Sequence, residues 1–196
     1  YDNLYRRVVV TDALNNSTAY GYDKLGNLIW TRDPKSNTVN MKYDSLSRKI
    51  QMDDPDMGHW VYEYDENNNL IKQTDAKGQI LKFEYDQLNR STKKINSTNA
   101  GNPITLVTYS YDDGTKSYCI GRLSKVIDTN CSTEFFYDQL GRQTKTIKTI
   151  DNTGYTVERT YNKGGGLTEL KYPDNEIVTY TYDNNDNIKS VKGNSD

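Results

Sequence analysis

Histidine occurs once in these 196 residues, cysteine twice, phenylalanine three times and proline four times. A lone His59, with no second His and no Cys or Ser at a useful spacing, excludes a zinc site and a catalytic triad. No apolar run is long enough to cross a bilayer, and no signal peptide opens the chain. Acids and bases, 27 against 25, are interspersed and leave a net charge of −2. Without a basic stripe there is nothing to match a phosphate backbone, so a nucleic-acid partner is not expected. Hydrophobic residues make up only 34% of the chain, too few for a thick core. Disorder is the alternative this raises. It is rejected because 17 Tyr, two Trp and regularly spaced Val, Ile and Leu are what disordered segments lack. A thin structure, with many residues facing solvent, fits this composition.

What the chain does have is a beat. Tyr1-Asp2, Tyr22-Asp23, Tyr43-Asp44, Tyr64-Asp65 and Tyr85-Asp86 follow one another every 21 residues. The spacing then loosens through Tyr111-Asp112, Tyr137-Asp138 and Tyr161-Asn162, and the pair returns at Tyr182-Asp183. A fixed period of this length means one supersecondary unit copied many times, each copy relying on its neighbours to bury its apolar side. Residues 1–196 are therefore expected to form a single continuous array of about nine repeats. The chain opens in mid-motif without Met, so it is expected to be a piece of a longer protein, with any export signal outside it.

Within each copy, two short runs of β-formers are separated by clusters of Asn, Asp and Gly, as in Leu70–Thr74 and Ile80–Tyr85. That pattern predicts strands joined by tight turns, one β-hairpin per repeat, in a long antiparallel meander. Gly26-Asn27, Asn68-Asn69, Asn89, Gly141 and Asp186-Asn187 stand where positive φ is wanted. A second turn opens at Asp12, Asp33, Asp54 and Asp75. The strand before each Tyr-Asp alternates strictly, as in Val39/Met41/Tyr43, Trp60/Tyr62/Tyr64, Leu81/Phe83/Tyr85, Val107/Tyr109/Tyr111 and Val178/Tyr180/Tyr182. Such alternation predicts a sheet covered on one side, with a ladder of cross-strand aromatic pairs whose hydroxyls end at water. Irregular insertions are expected near 96–103, 112–120 and 151–154.

Each residue that suggests chemistry has a structural reading beside it. The Asp after each Tyr is a turn former, accepting a hydrogen bond from the backbone two residues on. Gly164-Gly165-Gly166 is not a phosphate loop, because no Lys-Ser/Thr follows. Cys119 and Cys131 flank the strand expected around Leu123 to Ile127, and both a disulfide and two free thiols stay open. Asn15, Asn16, Asn96 and Asn130 open Asn-x-Ser/Thr sequences, which chance supplies in a chain so rich in Asn. No catalytic residue, cofactor or metal site is expected. Exposed Tyr and Trp on a β-surface keep a rival class in view, an adhesion module for carbohydrate or a cell-surface receptor.

The motif Tyr-Asp-x-x-Gly-Arg/Asn-Leu, followed by an Asp turn and aromatic-x-Tyr-Asp, resembles the YD repeat of Rhs proteins. Its best copies are Tyr22-Asp23-Lys24-Leu25-Gly26-Asn27-Leu28 and Tyr137-Asp138-Gln139-Leu140-Gly141-Arg142, and Gly121-Arg122-Leu123 repeats its second half after an insertion. The segment from Asp54 to Asp65 is most similar to Tc and related bacterial toxins; teneurins are more distant relatives. The resemblance implies an all-β meander curled into a segment of a spiral shell. Its motif residues are Tyr22, Asp23, Tyr43, Asp44, Tyr64, Asp65, Tyr85, Asp86, Tyr111, Asp112, Tyr137, Asp138, Tyr161, Tyr182 and Asp183. It implies a non-enzymatic wall whose partners are the remaining repeats of the parent chain and an enclosed C-terminal toxin or effector domain. A secreted or cell-surface location follows from the same resemblance. Asp54-Pro55-Asp56-Met57-Gly58 is similar to one half of the family's autoprotease element, but it fills an ordinary turn slot and has no partner element. In isolation the strip is expected to self-associate through its sheet edges.

Overall fold

The computed structural model describes residues 1–98 and 102–194, and every regular element among them is a β-strand. The chain divides into two compact units, Tyr1–Ile104 and Thr105–Asp196. The first contains β1 (Val9–Thr11), β2 (Ser17–Tyr22), β3 (Leu28–Arg32), β4 (Thr38–Tyr43), β5 (Lys49–Asp54), β6 (Gly58–Tyr64), β7 (Leu70–Thr74), β8 (Ile80–Tyr85) and β9 (Ser91–Asn96). The second contains β10 (Ile104–Tyr111), which starts at the boundary, β11 (Leu123–Asp128), β12 (Cys131–Tyr137), β13 (Gln143–Ile150), β14 (Thr153–Tyr161), β15 (Leu167–Lys171), β16 (Ile177–Tyr182) and β17 (Ile188–Gly193). Within each unit every strand pairs antiparallel with the next, so each is an open meander of hairpins.

Two turns build each hairpin. At the Tyr-Asp end the Asp amide donates to the carbonyl four residues on, and the amide three residues on donates back to the Asp carbonyl. Asp23 with Asn27 (3.0 Å) and Gly26 (3.2 Å) is one example, and Asp44 with Arg48 (3.0 Å) and Ser47 (3.1 Å) another. This is a type I turn closed by one left-handed residue. The left-handed residue is the first of each pair expected, Gly26, Asn68 and Asp186, and not Asn27, Asn69 or Asn187. Ser47 takes the same position with φ 60°, a Ser held there because the two flanking hydrogen bonds fix the turn. Just before each turn the register slips at the Tyr, so Tyr22 faces Leu28, Tyr43 faces Lys49 and Tyr64 faces Leu70.

Burial alternates along the strands as the sequence pattern requires. In β4 and β8, Val39, Met41, Tyr43, Leu81, Phe83 and Tyr85 are half-buried, while Asn40, Lys42, Lys82 and Glu84 are exposed. The sheet has almost no deep interior. Among the described residues only Cys119, Ser97 and Ser124 are buried.

One of the expected insertions takes a different form. No irregular loop exists at 151–154, because β13 and β14 extend to the pair Ile150 and Thr153 and close on Asp151-Asn152. Both turn residues are left-handed (φ 48° and 63°), which Asp and Asn tolerate and which matches strand twist. Of the loop at 96–103, residues 99–101 lie outside the described residues. The insertion at 112–120 is present. Asp112 pairs through its amide with the Arg122 carbonyl (3.1 Å), so Asp113 to Gly121 bulge out of an otherwise ordinary Tyr-Asp turn.

The disulfide left open between Cys119 and Cys131 is not made; both thiols are free. Cys119 is buried within the insertion, before the start of β11, whereas Cys131 begins β12 beyond the far end of that strand. A six-residue strand separates them, roughly 17 Å at the usual rise, far beyond disulfide reach. The Cys131 thiol instead donates to Asp128 (3.0 Å).

In β2, Gly21 stands opposite Trp30, whose indole covers it so closely that a Cβ there would overlap the ring. Gly21→Val should therefore lower stability by about 1–3 kcal/mol, the usual cost of overpacking. Urea unfolding followed by Trp fluorescence measures it, and an unchanged midpoint would disprove the close packing.

Candidate functional site

The Tyr-Asp motif residues meet at the joint between one repeat and the next. In six of the described joints the antiparallel ladder stops short of the Tyr-Asp end, and the Tyr hydroxyl reaches the carbonyl left beyond it. Tyr22 donates to Arg7 O (3.0 Å), Tyr64 to Lys49 O (2.9 Å) and Tyr85 to Leu70 O (2.9 Å). Tyr137 donates to Leu123 O (2.8 Å), Tyr161 to Gln143 O (2.9 Å) and Tyr182 to Leu167 O (2.8 Å). Each accepting residue lies two positions before the first ladder pair, as Leu70 precedes Lys72 and Gln143 precedes Lys145. These hydroxyls thus end on protein and not at water. A carbonyl at a splayed strand end needs a donor, and the hydroxyl supplies one that the ladder cannot.

The Asp holds its own turn. Asp44 Oδ1 accepts the amides of Leu46 and Arg48 (both 2.9 Å), and Asp23 Oδ1 those of Leu25 (2.9 Å) and Asn27 (2.8 Å). The other carboxylate oxygen binds the side chain that follows the left-handed residue. That side chain is Arg6 on Asp2, Arg48 on Asp44, Arg90 on Asp86 and Arg142 on Asp138, each through Nε at 2.7 Å. It is Asn27 on Asp23 (2.8 Å) and Asn69 on Asp65 (2.9 Å).

Arg does more than Asn at this position. Arg48 extends to the next repeat, donates to Asp65 O (3.0 Å) and lies over the Tyr64 ring, 5.0 Å from its centroid. Arg6 does the same to Asp23 O and Tyr22, and Arg142 to Asn162 O and Tyr161. A guanidinium on an aromatic face, with its planar fork spent on carboxylate and carbonyl, is a geometry that Asn is too short to copy. In the first unit the choice alternates as Arg6, Asn27, Arg48, Asn69, Arg90. The joints opened by Arg6 and Arg48 are clamped. The joint opened by Asn27 lacks that clamp, and the Tyr43 hydroxyl there meets only Met41 Sδ (3.9 Å).

The expected cross-strand aromatic ladder takes this other form. Ring-on-ring packing is seen at Trp60 and Tyr62, neighbours on one strand, while Arg6, Arg48, Arg122 and Arg142 cover the Tyr faces across repeats. The clamping Arg was not singled out in the sequence, although its recurrence five residues after the motif Tyr was the available signal. In the split repeat, Lys116 of the insertion is pinned to Glu134 (2.9 Å) and lies over Phe136.

Chemically, this arrangement holds chain against chain. Each motif carboxylate is engaged by its own turn, and among the described residues no three His, Cys, Asp or Glu gather to hold a metal ion. His59 sits on the exposed polar face, paired with Asp53 (2.6 Å) across the turn of Pro55 and Met57.

Residues 110–196 match the family described as Teneurin YD-shell, and residues 64–101 match RHS Repeat. Over these two stretches the chain is similar to RHS/YD repeats. None of the curated proteins matches it in sequence. Among solved structures, the TcdB2-TccC3 complex superposes with a TM-score of 0.84 at 16% identity, over 98% of this chain and 12% of that one. The form without its hypervariable C-terminal region gives 0.83 at 16% identity, over 98% of this chain and 11% of that one. A Photorhabdus luminescens Tc holotoxin pore gives 0.78 at 15% identity, over 91% and 10%. The chain therefore shares its fold with these proteins and spans about a tenth of their length.

Two predictions follow from the joint. Tyr64→Phe should cost about 1 kcal/mol by leaving the Lys49 carbonyl without its donor. Arg48→Asn should cost about 1–2 kcal/mol, the carbonyl bond and the cation–π contact together. Urea denaturation measures both, and two unchanged midpoints would show that the joints carry no stability.

Stability should also depend on pH. The Arg48 amide, then its guanidinium, holds the Asp44 carboxyl below its ordinary 3.8, and the Asn27 side chain does likewise for Asp23. Burial raises Tyr64 and Tyr85 above their ordinary 10.0. A carboxylate with a lowered folded pKa stabilises fully above 3.8, and that contribution is lost as pH falls through the lowered value. A phenol with a raised folded pKa stabilises fully below 10.0, and that contribution is lost as pH rises through the raised value. Thermal midpoints should be level between these limits and fall on both sides; a midpoint that rises below pH 3.8 would contradict the acid limb.

Proposed function

We propose that this chain is a non-enzymatic stretch of an RHS/YD β-shell that encloses and protects a toxin or effector cargo in a secreted bacterial protein. The observation that carries the reading is the commitment of the motif groups. Tyr hydroxyls and Arg guanidinia hold repeat to repeat, and Asp carboxylates hold the turns between them, which is what a wall requires. The fold shared with Tc toxin structures, over about a tenth of their length, supports placing the chain within a much longer array. On this reading residues 1–196 form one continuous run of repeats, whose partners are the repeats on either side and the C-terminal cargo. The location is secreted or cell-surface. Sheet edges exposed by excising the segment would then pair between copies.

The test uses the full-length protein that contains this segment. Limited proteolysis should leave a C-terminal fragment that is already severed yet stays with the shell until denaturant is added, as followed by native mass measurement. A single uncut chain with a freely accessible C-terminal region would overturn the cargo reading and leave adhesion in its place.

A further inference from the structure

One groove departs from the architecture of the repeats. It holds about 590 Å³ between the start of β14 and the turn after β15, and Thr153, Tyr155, Tyr172, Pro173, Asp174 and Glu176 line it. We propose that this groove binds the pyranose ring of a neutral oligosaccharide. The inference stands whether or not the array encloses a cargo.

Tyr172 fills the position that Asp12, Asp33 and Asp75 occupy in other second turns. The backbone closure is the same, with the Tyr172 amide on Glu176 O (2.8 Å) and the Asn175 amide on Tyr172 O (3.0 Å). The carboxylate that caps the other turns, as Asp75 caps the Lys77 and Gln79 amides, is replaced by a phenol ring. Asp174 takes over part of that duty by accepting the Glu176 amide (3.0 Å). Turn formation does not call for a Tyr here, and Tyr172 is left 38% exposed.

Tyr155 is its counterpart, 45% exposed on the neighbouring strand. The register Glu158 to Lys171, carried on, sets Tyr172 beside Val157, two residues from Tyr155 and on the same face. Neither hydroxyl meets a partner among the described residues, in contrast to Tyr161 and Tyr182 of the adjoining joints, which donate to carbonyls. Two exposed tyrosines and Pro173 offer apolar C–H-stacking surface. The Asp174 and Glu176 carboxylates and the Thr153 hydroxyl surround it with hydrogen-bond acceptors. Such a mixed lining matches a sugar ring, which is apolar on its face and hydroxylated at its edge. The two carboxylates repel an anionic glycan and so select a neutral one.

Saturation-transfer NMR on the whole chain, with chitotetraose and maltotetraose at millimolar concentration and sialyllactose as the anionic control, tests this. Transfer from Tyr ring protons to a neutral oligosaccharide is expected, and weaker transfer to sialyllactose. Tyr155→Ala should weaken binding about tenfold, the worth of one aromatic contact. Tyr172→Asp restores the turn-forming carboxylate, so it should keep the thermal midpoint while binding falls by at least as much. Three results would overturn the proposal: no transfer to either neutral probe, transfer unaltered in Tyr172→Asp, or sialyllactose binding at least as well.

Discussion

Every joint in this chain depends on how a splayed strand end is satisfied. The register slip at the Tyr gives each hairpin its tight turn, and it also ends the ladder to the next hairpin early. A carbonyl is left over, and in a sheet one layer thick no core exists to compensate for an unmet polar group. The hydroxyl of the next motif Tyr, Tyr64 on Lys49 or Tyr85 on Leu70, closes that gap. The Tyr64 ring also offers its face to Arg48 of the previous repeat, so one side chain serves as hydrogen-bond donor and stacking platform. Phe would supply only the second.

Because the joint is polar, the array can be stable with very few buried apolar residues. An amphipathic hairpin normally hides one face against a second layer. Here the neighbours in sequence provide the cover, and the interactions that hold them are directional and periodic. Stability then accumulates joint by joint, as in other repeat arrays. The alternation of Arg and Asn grades those joints, with Arg6 and Arg48 bridging repeats that Asn27 leaves to the ladder alone. Local opening is accordingly favoured where Asn27 precedes Tyr43.

The same logic explains how the insertion at Asp113 to Gly121 is tolerated. Asp112 and Arg122 still close one turn, and Arg122 still covers Tyr137, so the joint is preserved while the extra chain lies outside it. Lys116 then ties the added loop back onto β12 through Glu134. Variation at Tyr172 is of a different kind: it changes a turn former into a surface aromatic without altering the backbone path.

The sequence by itself determined the strands, their alternation and the place of both turns, because each depends on contacts within one repeat. Period-two patterning marks Val39, Met41 and Tyr43 on one face, and Asp with a left-handed residue three places on marks the turn. Short-range rules also left two ambiguities, at Asn27 and Asn69 beside the true left-handed residues, and at Asp151-Asn152, where two turn-formers look like a loop until the register of Ile150 with Thr153 is known. Only the tertiary structure decided what the motif Tyr and Arg do. Their partners, a carbonyl some fifteen residues back and a ring or carbonyl in the next repeat, are brought near by strand pairing, and no local pattern encodes that distance. The separation of Cys119 from Cys131 was decided in the same way, by the length of the one strand that runs between them.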